Sequence, residues 1–102
     1  MIDIPEPAEC TTMAEVRAGV DDVDARLVAL IARRFGYMDA AARIKAQRTA
    51  VRDETRKAQV LEHIGDEADK AGIDRVALMR MWDDLIEASI AHEMRAFDKL
   101  HG

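Results

Sequence analysis

An all-α fold with three helices, one long and two shorter, is predicted by three features of this sequence. The first is an apolar seam at alternating three- and four-residue spacing: Met13, Val16, Val20, Val23, Leu27, Leu30, Arg34, Tyr37, Ala41 and Ile44. Such a seam describes one amphipathic helix packed against other helices. The second is composition, 49% hydrophobic but only 4% aromatic, with two prolines and five glycines among 102 residues. That balance favours helices over sheets. The third is punctuation, because helix start and stop signals stand at Thr12, Asp53, Gly72 and Asp74.

Residues 1–12 read as an extended, proline-punctuated arm, and 13–102 as a single helical domain. Thr12-x-x-Glu15 fits a capping box, so helix one starts at Met13 and is expected to run to about Gln47. At about 1.5 Å per residue that is on the order of 50 Å, longer than a hundred-residue domain is wide. A helix of that length needs a partner. Arg48 to Arg52 form a short link. Asp53 caps a second helix from about Glu54 to Ala71, with Val60, Leu61 and Ile64 facing inward. Gly65 weakens it slightly. Gly72 ends it, and Asp74 caps a third helix reaching about Leu100, whose stripe is Met79, Trp82, Ile86, Ile90, Glu93, Phe97 and Leu100.

The bulk properties exclude several functions. One domain of this length has a marginal core of its own, which association would reinforce. A net charge of −5 argues against nucleic-acid binding, which needs a basic surface. Cys10 is the only cysteine, so there is no intrachain disulfide and no cysteine-rich metal site. The N-terminal residues lack a signal-peptide pattern and no apolar run is long enough for a membrane, so a soluble, cytoplasmic protein is expected.

Two polar residues interrupt otherwise apolar stripes: Arg34 on helix one and Glu93 on helix three. Arg34 and Lys45 lie eleven residues apart, close to three turns, and leave one helix face about 16 Å from each other. Two cations directed at one place suggest an anion. Arg17 lies roughly 25 Å from Arg34 along the same rod, too far to share a small ligand within one chain but not across an antiparallel dimer. Arg56 adds a donor near the start of helix two, where anions are favoured. Each residue also has a plain structural reading. Arg34 and Glu93 can be satisfied by protein partners, Trp82 and the methionines fill core, and the three histidines lie on the surface without metal spacing. Arg33, Arg43, Arg48 and Arg52 read as a solvated face.

The combined pattern resembles the all-helical chorismate mutases and the related isochorismate-pyruvate lyases, over Met13 to about Glu93. MAEVR resembles the segment carrying the arginine given across the dimer, here Arg17. VDDVDARLVALIARR leads to a second arginine at Arg34, and AARIK to a lysine at Lys45. VRDETR resembles the mutase loop, with a helix-start aspartate at Asp53 and an arginine at Arg56. IEASIAHE resembles the third-helix motif, with Ser89 and, at the position that meets the substrate's ether oxygen, Glu93. The resemblance implies an intertwined homodimer with two shared active sites, a small dianionic substrate, and chemistry without cofactor or metal. It implies Arg17, Arg34, Lys45 and Glu93 as catalytic residues, with Asp53, Arg56, Lys57 and Ser89 at the substrate.

Three departures divide the implied reaction. Glu93 stands where most bacterial mutases have glutamine, and it can donate a hydrogen bond only while protonated. Lys57 stands where many mutases carry a glutamate that helps hold the ring hydroxyl. The short link between Lys45 and Val51, and the PEPAEC arm, match the lyases. Rearrangement of chorismate to prephenate is the leading expectation. Elimination of pyruvate from isochorismate, rearrangement of an amino-substituted chorismate, and a non-catalytic helical dimer are the alternatives.

Overall fold

The computed structural model describes residues 4–102, and the first three residues of the expected arm lie outside them. From Ile4 the chain runs through a single 3-10 turn, Pro7–Glu9, into helix α1, Met13–Ile44. A second 3-10 turn, Arg48–Ala50, leads to helix α2, Glu54–Ala71, and α3 covers Arg75–His101. No strand occurs among the described residues. The all-helical expectation and the three helix starts agree with this order.

The ends of the helices form for local reasons. Thr12 Oγ1 accepts the Glu15 N–H at 3.2 Å and the Glu15 carboxylate accepts the Thr12 N–H at 3.0 Å, a reciprocal capping box. The Thr11 N–H and the Thr12 hydroxyl also hold the Glu15 carboxyl below its ordinary range. Asp53 accepts the Arg56 N–H at 3.0 Å and so caps α2. Gly72 closes that helix at φ 72°, a left-handed conformation that costs glycine little, while the Ile73 N–H reaches back to the Ala68 carbonyl at 2.9 Å. Asp74 caps α3 through the Val76 and Ala77 N–H groups.

The chain divides into two compact units, one reaching Arg34 and the other Phe35–Gly102. In the first, Ile4 of the arm packs beside Gly19 of α1. A concavity of about 960 Å³ lies there, lined by Ile4, Pro7, Val16, Val20 and Val23 with the acids Glu6, Asp22 and Asp24. Arg26 at its edge is paired with Asp22 at 3.0 Å, so this acidic hollow offers nothing to a dianion. The apolar seam that borders it stays open to solvent. Met13, Val20, Val23 and Leu30 are each more than half exposed, and Leu27 nearly so at 47%.

In the second unit α2 and α3 form an antiparallel pair. Its core is small: Ala68 and Gly65 on α2, Ile86 on α3, and a cluster of Ala42, Val51 and Phe97 bordered by Ile90 and Met94. The inward residues of the last α1 turns are Phe35, Met38 and Ala42, whereas Tyr37 and Ile44 of the expected seam are exposed. Helix α1 also ends three residues short of Gln47. Lys45 makes one last helical bond to Ala41 at 2.9 Å, after which Gln47 becomes extended and the chain turns to bury Val51.

Gly65 has a role the helix pattern did not reveal. A Cβ there would stand 2.5 Å from the Arg75 guanidinium carbon. Arg75 lies over this gap and bonds Glu62, Asp66 and Asp69 at 2.8, 3.1 and 2.8 Å. An arginine in a first helical turn opposes the helix dipole, and these three carboxylates offset that cost.

Candidate functional site

The site is built where the end of α1 meets α3. Lys45, the first residue beyond α1, donates from Nζ to Glu93 Oε2 at 2.7 Å. Forty-eight residues separate the two in sequence. Glu93 is 3% exposed, and a carboxylate so placed requires a charged partner. Lys45 supplies it while its own side chain keeps 29% exposure, so one end of the pair is closed in protein and the other opens outward. One turn earlier on α3, Ser89 is also 3% exposed, and its hydroxyl donates to the Leu85 carbonyl at 2.7 Å. Among the described residues, no buried side-chain nitrogen or oxygen is left without a partner.

The other expected site residues are distributed as follows. Arg56 and Asp53 stand together at the start of α2, both exposed, with the Asp53 side chain engaged by the Arg56 backbone. Lys57, one residue on, is held by α3: its ammonium meets Asp83 at 2.7 Å and Glu87 at 2.9 Å. These carboxylates, Asp83 foremost, raise the Lys57 ammonium above its ordinary range. Arg34 is half-buried and Arg17 exposed; both belong to the first unit, which contains neither Lys45 nor Glu93. The second unit by itself therefore brings together Lys45, Glu93 and Ser89, and separately Lys57 with its acids.

Charge at this end of the molecule is more ordered than the sequence suggested. Arg48 and Arg52, read as a solvated face, are exposed in agreement with that reading, and both are also clasped by acids. Arg48 forks onto Asp98 through Nε and a terminal nitrogen at 2.9 and 3.3 Å. Arg52 forks onto Glu87 at 3.1 and 2.7 Å and also meets Glu54 at 2.9 Å. Arg52, ahead of Lys57, draws the Glu87 carboxyl down to about 2, and Arg48 lowers that of Asp98. His92, read as a surface residue, is half-buried: its Nε2 lies 2.7 Å from Asp39 and its ring rests 4.9 Å from that of Phe35. The sequence does hold the opposite charges, but with no periodicity linking the link to α3 it could not pair them.

The lysine of AARIK and the buried glutamate of IEASIAHE, from two of the motifs that carry the family resemblance, thus lie within hydrogen-bond distance of each other. Residues 16–94 match the family described as chorismate mutase type II. This chain belongs to the chorismate mutase type II family. The matched stretch contains Arg17, Arg34, Lys45, Asp53, Arg56, Lys57, Ser89 and Glu93 and stops before Asp98. Isochorismate pyruvate lyase of Pseudomonas aeruginosa is 28% identical over 96 residues, which cover 94% of this chain and 95% of that protein. Among its described residues this chorismate mutase type II chain has no helix long and apolar enough to cross a membrane. The family implies a small substrate such as chorismate or isochorismate.

Proposed function

We propose that this protein is a chorismate mutase that breaks the ether C–O bond of chorismate in a pericyclic rearrangement to prephenate, in a site completed by a second copy of the chain. The observation that carries this reading is the 2.7 Å contact between Lys45 and the buried Glu93. In the rearrangement the ether oxygen gains negative charge as its bond breaks. A fixed ammonium answers that charge without reorganising. Substrate enters between Lys45 and Glu93, so their direct contact opens as each turns to the ether oxygen. At the ether oxygen Lys45 is the cation, and Glu93, a carboxylate while it holds Lys45, must carry a proton to act there as a donor. Ser89, one turn away, contacts the substrate beside Glu93. No nucleophile or cofactor is required, because the reacting bonds lie within one molecule.

The two carboxylates of the substrate call for further cations. Arg34 takes one, Arg17 of a second copy takes the other, and Arg56 supports them near the Asp53-capped start of α2. Support for the second copy comes from α1 itself. Met13, Val20, Val23, Leu27 and Leu30 are 47 to 63% exposed in the single chain, a contiguous apolar stripe of the kind that marks an interface. Burying such residues is worth about 1.5 to 3 kcal/mol each, which a marginal single-chain core needs. A homodimer with shared, cytoplasmic active sites is the resulting assembly.

A second reading, pyruvate elimination from isochorismate, is favoured by two observations: the lyase name of the Pseudomonas aeruginosa relative, and Lys57, which is committed to Asp83 and Glu87 where a mutase glutamate would hold the ring hydroxyl. The same Lys45 and Glu93 would stabilise the departing ether oxygen. Parallel turnover assays with chorismate and isochorismate separate the readings. Prephenate from chorismate is the expected product. Salicylate and pyruvate from isochorismate, with chorismate untouched, would replace the first reading by the second, and inactivity on both by a correctly folded dimer would end both.

A further inference from the structure

The link between α1 and α2 is fastened to α3 on both sides of the Lys45–Glu93 contact. It begins opposite Glu93, where Lys45 bonds, and extends one turn further to Asp98, where Arg48 forks. It then returns, burying Val51 against Ala42 and Phe97, and ends at Glu87, where Arg52 forks. Two guanidinium–carboxylate clasps thus bracket Glu93 along the helix, about five and six residues from it on either side. Both are two-point contacts, which fix direction as well as distance. Between them the link's backbone bonds are local, Ala50 to Gln47 and Val51 to Arg48, each at 3.1 Å.

Lys45 has little else to hold it. Its backbone keeps a single helical bond to Ala41, and four rotatable side-chain bonds separate that backbone from the ammonium. Where the chain goes after Lys45 therefore decides where the ammonium is aimed. We propose that Arg48 and Asp98, with Arg52 and Glu87 as the second clasp, are positioning residues that hold Lys45 in register with Glu93. The catalytic consequence rests on the ether-cleavage reading above, whereas the ordering of the link does not. Both clasps are solvent-exposed, with side chains 42 to 58% accessible, so their effect is modest and weakens with salt. A small displacement nevertheless matters for a group that must meet a developing charge.

The experiment measures two quantities on the full-length protein carrying Asp98→Ala, Glu87→Ala, Arg48→Lys or the reversal Arg48→Asp/Asp98→Arg. Amide hydrogen exchange across residues 45–51 needs no substrate, and kcat and KM are read on whichever of chorismate and isochorismate the wild type converts. Asp98→Ala and Glu87→Ala should each speed exchange in the link and lower kcat about two- to fivefold, the range of an exposed ion pair, with KM changed less. Arg48→Lys keeps the charge but loses the fork, so it should behave as Asp98→Ala does, and the reversal should restore both quantities. In a Lys45→Met background Asp98→Ala should cost no further activity, since its effect passes through Lys45. Unchanged exchange, faster exchange with unchanged kcat, or an equal loss without Lys45 would each overturn the proposal. A wild type that converts neither substrate ends the ether-cleavage reading alone; the clasps are then decided by exchange, faster exchange supporting them and unchanged exchange overturning them.

Discussion

Replacing Lys45 with Met keeps most of the side chain's length and its apolar stem and removes the ammonium with its charge and donors. The structural cost follows from what is left behind: the Glu93 carboxylate, 3% exposed, loses its 2.7 Å partner. Breaking a buried ion pair from one side costs about 3 to 5 kcal/mol. The 29% exposure of the Lys45 side chain lets water reach the pair, so the lower end, about 3 kcal/mol, is expected. Removing both partners, as in Lys45→Met/Glu93→Leu, leaves no orphaned charge and should recover most of that loss. Turnover behaves differently. Each single change removes a group from the ether oxygen and should cost about 100- to 1000-fold in kcat, and the double variant should stay inactive. Denaturant melts at fixed protein concentration and initial-rate assays read the two effects separately. A single variant within about 0.5 kcal/mol of wild type would mean that the pair is not buried in solution, and near-normal turnover in either single variant would refute the catalytic assignment.

Three further outcomes are expected. Leu27→Glu, on a seam that a single chain leaves exposed, should cost an isolated chain little but place a charge in a dimer interface; sedimentation should show a wild-type dimer and a dissociated or unfolded variant, and an unchanged dimer would relocate the interface. Glu87, drawn down to about 2 by Arg52 and Lys57, contributes stability that is fully present above its unfolded value near 4.3 and is lost as pH falls toward 2. Thermal melts should therefore converge for wild type and Glu87→Gln across that window, with wild type the more stable at neutral pH. Gly65→Ala gains up to about 1 kcal/mol of helix propensity but drives its Cβ into the Arg75 guanidinium, so it should raise Tm only when combined with Arg75→Ala, and an equal rise in both backgrounds would discard the close-approach account.

What could be read from the chain and what could not divide by the range of the interactions. The capping box at Thr12 and Glu15, the caps at Asp53 and Asp74 and the stop at Gly72 are contacts within five residues, so the residue types alone fix them. Glu93 stands out as a charge on an apolar stripe, and the resemblance of AARIK marks Lys45 beside it. Their 2.7 Å bond, however, depends on how α1 and α3 meet. The early end of α1 at Ile44 was missed because burying Val51 against Ala42 and Phe97 outweighs continued helix, and burial is a property of the packed unit. The clasps of Arg48 and Arg52 and the gap that Gly65 leaves for Arg75 were missed for the same reason. A helix cap is encoded by neighbours along the chain, and the sequence by itself determined the caps, the helical class and the family. Which charge meets which across 35 to 50 residues only the tertiary structure decided, because that pairing is set by helix packing rather than by spacing.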